Sequence, residues 1–135
     1  MGCSGLCCEI QQMKYLLSLL MLIASPAWAE WEYVDKDVDG NIFYLDFETL
    51  RKDGNLRRIW QMVELAGGDK SKWVSSRQRN EYDCKNETRR ILSFASFSQK
   101  NLRGERLFEH TTPTSASDIA PQSIDWGVLK LVCSK

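Results

Sequence analysis

Three aspartates at alternate positions, Asp35, Asp37 and Asp39, run into Gly40. With Asn41 and Ile42 behind them they match the D-x-D-x-D-G pattern of calcium loops. Ile42 takes the usual apolar position, and Asp46 stands where a closing glutamate would be. Such carboxylates can converge on a hard cation when a glycine lets the chain turn sharply. The context favours another use of the same residues. Glu30–Val34 is too short for an entering helix and reads as strand. Aspartate is also shorter than the bidentate glutamate at the closing position. The stretch is expected to be a solvated hairpin turn, with calcium as the alternative, and no metal ligand is assigned.

His110 is the only histidine. A catalytic triad or a zinc site needs more than one such residue, or a free thiolate. The carboxylates fall in turns and on outward strand faces, with no recognisable acid/base pair. There is no glycine-rich phosphate loop. No catalytic residue and no cofactor is assigned, and a hydrolase depending on His110 is the weakest reading. Arg77, Arg79, Lys85, Arg89 and Arg90 could form a basic patch suited to acidic or sulphated partners. Glu81, Asp83 and Glu87 interleave with them, so a solvated face of mixed charge is expected instead. The tryptophans are expected to pack in the core and on the sheet rather than to form a ligand platform.

The 135 residues make one domain at most, with 18 basic and 18 acidic side chains. That balance gives no electrostatic argument for nucleic acid or for an anionic membrane. Lys14–Ala29 reads as a secretory leader. Lys14 is its positive start, Leu16–Ala24 an apolar run too short to span a bilayer, and Ala27-Trp28-Ala29 the cleavage pattern. Met13 is then a natural start, which makes residues 1–12 a mis-called upstream extension, residues 13–29 the leader and residues 30–135 the mature domain. The mature chain would not span a membrane. Removing Glu9 and Lys14 leaves its charge balanced, and only Cys84 and Cys133 remain of the five cysteines. In an oxidising compartment two cysteines imply one disulfide, the alternative being two buried thiols. The bond would close a loop of about 50 residues and contribute about 4 kcal/mol in the chain-entropy model.

The elements that must hold these residues follow from pattern. Trp31–Val34 and Asn41–Phe47 read as a hairpin about Asp39-Gly40. Glu48–Gly54 reads as a polar connection. Leu56–Leu65 is apolar on both faces and predicts a central strand. Ala66–Ser71 is a loop by composition. Arg77–Cys84 alternates, with Arg77, Arg79, Glu81 and Asp83 outward and Gln78, Asn80, Tyr82 and Cys84 inward. Thr88–Ser98 and Glu105–Thr111 follow as strands, and Thr112–Pro121 as a mobile loop. Ser123 is placed to cap a helix whose stripe is Ile124, Val128, Leu131 and Val132. Gly127 weakens that helix by about 1 kcal/mol against alanine. Cys133 falls off the stripe, so the last turn is expected to loosen to reach Cys84. The fold class is α+β: an antiparallel sheet of about five to six strands with a C-terminal helix on one face, stapled by one disulfide.

In order, the chain carries Trp31, Tyr44-Leu45-Asp46, Arg51-Lys52-Asp53-Gly54-Asn55 and Ile59-Trp60. Tyr82-Asp83-Cys84, Arg89-Arg90-Ile91-Leu92-Ser93, Ile119-Ala120-Pro121-Gln122-Ser123 and Cys133 follow. In this it resembles the surface-adhesin protein E-like domain family of Gram-negative bacteria over nearly the whole mature chain. The resemblance implies an antiparallel sheet with a helix, a Cys84–Cys133 bond and no catalysis. It also implies protein partners, since the founding adhesin is a surface lipoprotein that binds laminin, vitronectin and plasminogen. Two features depart from the family. Glu30, not a lipidation cysteine, follows the leader, and Gln122 stands where the family more often has glycine. In such a host the Asn86-Glu87-Thr88 sequon carries no weight.

The reading is an exported, non-enzymatic protein-binding domain, in the periplasm or at the cell surface with no lipid anchor evident. The alternative is a periplasmic structural or envelope-maintenance protein without an external ligand. A sheet face exposing aromatics such as Trp60 would favour binding or homodimerisation.

Overall fold

The first hairpin turns where the aspartates end. Strands β1 (Glu32–Lys36) and β2 (Ile42–Asp53) pair antiparallel across it. Gly40 takes a φ of 87°, and a Cβ there would meet Ala66 Cβ at 2.8 Å, so the turn needs glycine for both conformation and space. The structure, a computed structural model, describes residues 29–67 and 73–135. The expected upstream extension, the leader up to residue 28, and much of the Ala66–Ser71 loop lie outside the described residues.

β2 is longer than its pattern suggests. The polar stretch from Glu48 was expected to leave the sheet, yet the strand runs on to Asp53, with an irregularity between Asp46 and Arg51. Thr49 explains how. Its Oγ1 accepts from Trp60 N at 3.1 Å and donates to Asp46 O at 2.6 Å, standing in for backbone partners while the register shifts. Gly54, with φ 57°, then closes a two-residue turn into β3 (Leu56–Glu64).

β4 (Ser75–Asp83) and β5 (Thr88–Phe97) complete the centre of the sheet. A short 3₁₀ turn at Lys100–Leu102 leads to β6 (Arg106–His110), which pairs with the far half of β5. The near half of β5 is bordered by β7 (Ser117–Asp118), which the sequence did not announce. Much of the Thr112–Pro121 segment is therefore tied down. Thr114 and Ile91 exchange two hydrogen bonds, Ile119 N donates to Glu87 O, and Ile119 is buried in the core. The strand order is β1-β2-β3-β4-β5-β6, with β7 on β5. The antiparallel sheet with one helix is as expected, the strand count being seven with the two-residue β7 included.

Helix α1 (Ile124–Cys133) starts at Ser123, whose hydroxyl accepts from Trp126 N at 3.2 Å. Asp125 sits in its first turn, where negative charge complements the helix dipole. The residue before the cap, Gln122, holds a φ of 65°, the conformation that favours glycine. Val128, Leu129 and Val132 pack on Leu45, Ile59, Tyr82 and Ile119. The stripe differs by one position from the expected one. Leu129 faces in and Leu131 faces out at 39% exposure. Residues four apart share a helix face, so turning Leu129 inward brings Cys133 with it. The helix runs through Cys133 without loosening, and Cys84 and Cys133 are joined with their Cα atoms 5.8 Å apart.

Candidate functional site

The sheet's two faces divide by register. One row across the helix side reads Phe43, Val63, Ser76, Ser96 and Phe108; the next reads Leu45, Gln61, Gln78, Phe94 and His110. α1 covers the end of this face that carries Ile59 and Tyr82. The other end stays open as a cleft of about 510 Å³. Its banks are apolar: Phe43 and Val63 on one side, Phe94 and Trp73 on the other, with Ile124 at the helix start. Its floor is polar. Gln61 is 1% exposed, and Ser76 and Gln78 are buried beside it.

Of these, Gln61 is under-used. Gln61 Oε1 accepts from Asn80 Nδ2 at 2.8 Å and from Tyr82 OH at 3.4 Å, but Gln61 Nε2 has no partner. Asn80 Oδ1 and Ser96 Oγ are likewise buried without partners. Each such group costs about 1–3 kcal/mol when it leaves water unpaired. Burial drives the Tyr82 hydroxyl well above its ordinary pKa, so it remains a neutral donor. At the helix end of the cleft Arg89 Nη1 meets Asp125 Oδ2 at 2.5 Å.

The apolar bank continues outward. Trp73 and Phe94 meet edge to face at 5.9 Å, Phe94 and Phe108 lie 6.1 Å apart, and Phe108 stacks on His110 at 6.5 Å. Phe108 is 57% exposed on the edge strand β6, and its neighbour Leu107 is 46% exposed on the opposite face. The sole histidine thus belongs to an aromatic row. Among the described residues the exposed aromatics are Phe108 and Tyr33, while Trp73, Phe94 and His110 are half-buried. Trp60 is half-buried beneath the Arg77 guanidinium, 5.7 Å from its ring, on the other sheet face.

That other face corrects the expected solvated strand. Glu81 is 6% exposed, held by Arg58 Nε at 2.8 Å and Arg90 Nε at 2.7 Å. Burial alone would raise its pKa, but hydrogen bonds and charge from Arg90 and Arg58 outweigh it and hold the carboxyl below its ordinary value. The cause is register: Arg58, Glu81 and Arg90 are directly opposite on three adjacent strands. The shift between Arg79 and Asn80 turns Arg89 to the helix face while Arg90 stays on this one. The five basic residues therefore do not converge on a single patch.

The aspartate turn is self-contained. Asp37 Oδ1 accepts from Asp39 N and Asn41 N, and Oδ2 from Asn41 Nδ2 at 2.9 Å. Asp46 is 4% exposed in β2, with Oδ1 accepting from Glu48 N. These are the contacts of a hairpin turn, with the would-be closing ligand inside the sheet. Among the described residues no three His, Cys, Asp or Glu side chains lie grouped as a metal site would need.

The polar floor is the part that sequence reasoning passed over. Gln78 and Asn80 were placed inward by alternation, but Gln61 lies in an apolar strand and drew no notice. The signal available was a glutamine between Trp60 and Met62 in a strand buried on both faces.

A family model described as surface-adhesin protein E matches residues 31–134. No match was found among curated proteins. Among solved structures, crystal form II of Haemophilus influenzae protein E superposes with a TM-score of 0.60 at 16% identity, covering 83% of this chain and 94% of that one. A second Haemophilus influenzae protein E structure gives the same score and identity over 91% of its chain. Protein E from non-typeable Haemophilus influenzae gives 0.54 over 82%. At this identity the structural likeness speaks for the fold. It agrees with the seven-stranded sheet and C-terminal helix described above.

Proposed function

The chain belongs to the surface-adhesin protein E family, and we propose that it is an exported, non-enzymatic module that binds another protein. The binding surface is the open half of the helix-side sheet face and the β6 edge beside it. The observation that carries this reading is the aromatic row Trp73–Phe94–Phe108, which ends on an exposed edge strand instead of under the helix. The row is half-buried as far as Phe94 and exposed at Phe108, an apolar end of the kind that marks an interaction surface. An edge strand also offers unpaired backbone groups to a partner strand. Host matrix and serum proteins such as laminin, vitronectin and plasminogen are the partners suggested by family resemblance, and a second copy of the chain is the partner suggested by the edge itself.

No helix among the described residues is long and apolar enough to cross a membrane. Display is tested by tagging the C-terminus and treating whole cells with protease. Cleavage of the tag on intact cells is expected. Protection until the outer membrane is opened would contradict surface display and favour a periplasmic envelope role.

A further inference from the structure

We propose that the cleft between α1 and the sheet binds an uncharged extended peptide segment, an apolar side chain lying between Phe43 and Phe94 and the peptide amide facing Gln61. This rests on the protein-binding reading above and gives it a site. Three observations converge. The first is shape: a cleft of about 510 Å³, apolar on its banks and polar on its floor, open on the face that α1 leaves bare. The size falls in the range of about 300–1,000 Å³ that holds small ligands and single side chains with their flanking amides.

The second is unmet hydrogen bonding. Gln61 lines the cleft, is 1% exposed, and has an amide nitrogen with no partner. Asn80, which does not line the cleft, donates to the Gln61 oxygen at 2.8 Å and so leaves the nitrogen as the free end of that amide. A free amide donor is complementary to the carbonyl of a peptide amide. At the same end the Ser123 hydroxyl takes the Trp126 N–H, and the Ile124 and Asp125 N–H groups of the first turn of α1 add donors.

The third is charge. Arg89 and Asp125, both at the cleft, neutralise one another, and Asp37 stands at the rim. A carboxylate or sulphate ligand would meet two aspartates. A cationic ligand would meet Arg89, and the remaining carboxylate, Asp37, already accepts three hydrogen bonds within its own turn. A neutral amide meets neither objection.

The probe is N-acetyl-L-phenylalaninamide, an uncharged aromatic residue flanked by two amides, titrated into the oxidised protein and followed by heteronuclear NMR. N-acetylglucosamine, which carries an amide on a sugar, is the comparison ligand. Saturable shifts are expected at the Gln61 side-chain amide, Phe94 and Ile124, with weaker or no shifts from the sugar. Gln61→Met keeps the volume and removes the donor; it should weaken binding about fivefold or more. Phe94→Ala removes one bank at a half-buried position and should also weaken it, with circular dichroism confirming that both variants fold. Absence of shifts, equal binding by Gln61→Met, or preference for the sugar would each overturn the proposal. A whole-protein partner held equally well by wild type and both variants would overturn this site while leaving the protein-binding reading intact. Peptide binding without any protein partner would support the site and count against that reading.

Discussion

Glu81 shows what a single residue can conceal. By alternation it belongs to an outward charged face, yet two arginines from neighbouring strands close over it. Its folded pKa lies below the unfolded one, so the pairing contributes stability above the ordinary value of 4.5, and that contribution is lost as pH falls through the depressed folded value. Asp37 and Asp83 are also depressed, so acid lability alone does not isolate it. The comparison with Glu81→Gln does. That variant should lose about 2 kcal/mol near neutrality, with the gap to wild type narrowing as pH drops below 4.5. Thermal melts from pH 7 to about pH 3 check this. A gap that stays constant or widens in acid would mean that the arginines do not hold the carboxylate. Gln61 is the counterpart on the other face, a buried polar group whose capacity is not used. Neither role could be read from composition, since both depend on which residues face each other across the strands.

The elements were easier to read where local chemistry decides them. The Asp-Gly turn, the Asp53-Gly54 turn and the Ser123 cap each rest on one residue's conformational freedom or hydrogen bonding, and each appears where expected. The misses came from long-range bonds. Thr49 keeps β2 in the sheet through Trp60, and Ile91 holds the Thr112–Pro121 segment through Thr114. No local pattern reports a partner 11 or 23 residues away. Gln122 offers a test at this scale. Its φ of 65° penalises any side chain by about 1 kcal/mol, against roughly 0.5 kcal/mol of extra unfolded-state freedom for glycine. Gln122→Gly should therefore raise stability by about 0.5 kcal/mol in urea unfolding. A loss of stability would show that the Gln122 side chain makes a contribution larger than its backbone strain.

For the whole molecule, the fold class and the staple were legible because they follow from hydrophobic periodicity and from the two cysteines that lie beyond the expected leader. The open half of the helix-side face was not, because its existence depends on how far α1 reaches across the sheet. A ten-residue helix anchored at Cys133 covers Ile59, Tyr82 and the Leu45 end of the row through Gln61, and leaves the rest of that row and the row through Ser76 to the cleft. The disulfide thus helps to set the position of the site, holding the helix at one end of the sheet so that the other stays open. The central claim is that this open face binds protein. It is tested most directly by measuring binding of the oxidised protein to immobilised laminin and vitronectin, beside a Phe94→Ser/Phe108→Ser variant. Wild type should be retained and the folded variant should bind about tenfold more weakly, the loss expected when apolar anchors leave an interface. Equal binding by the two proteins, or no binding by wild type, would contradict it.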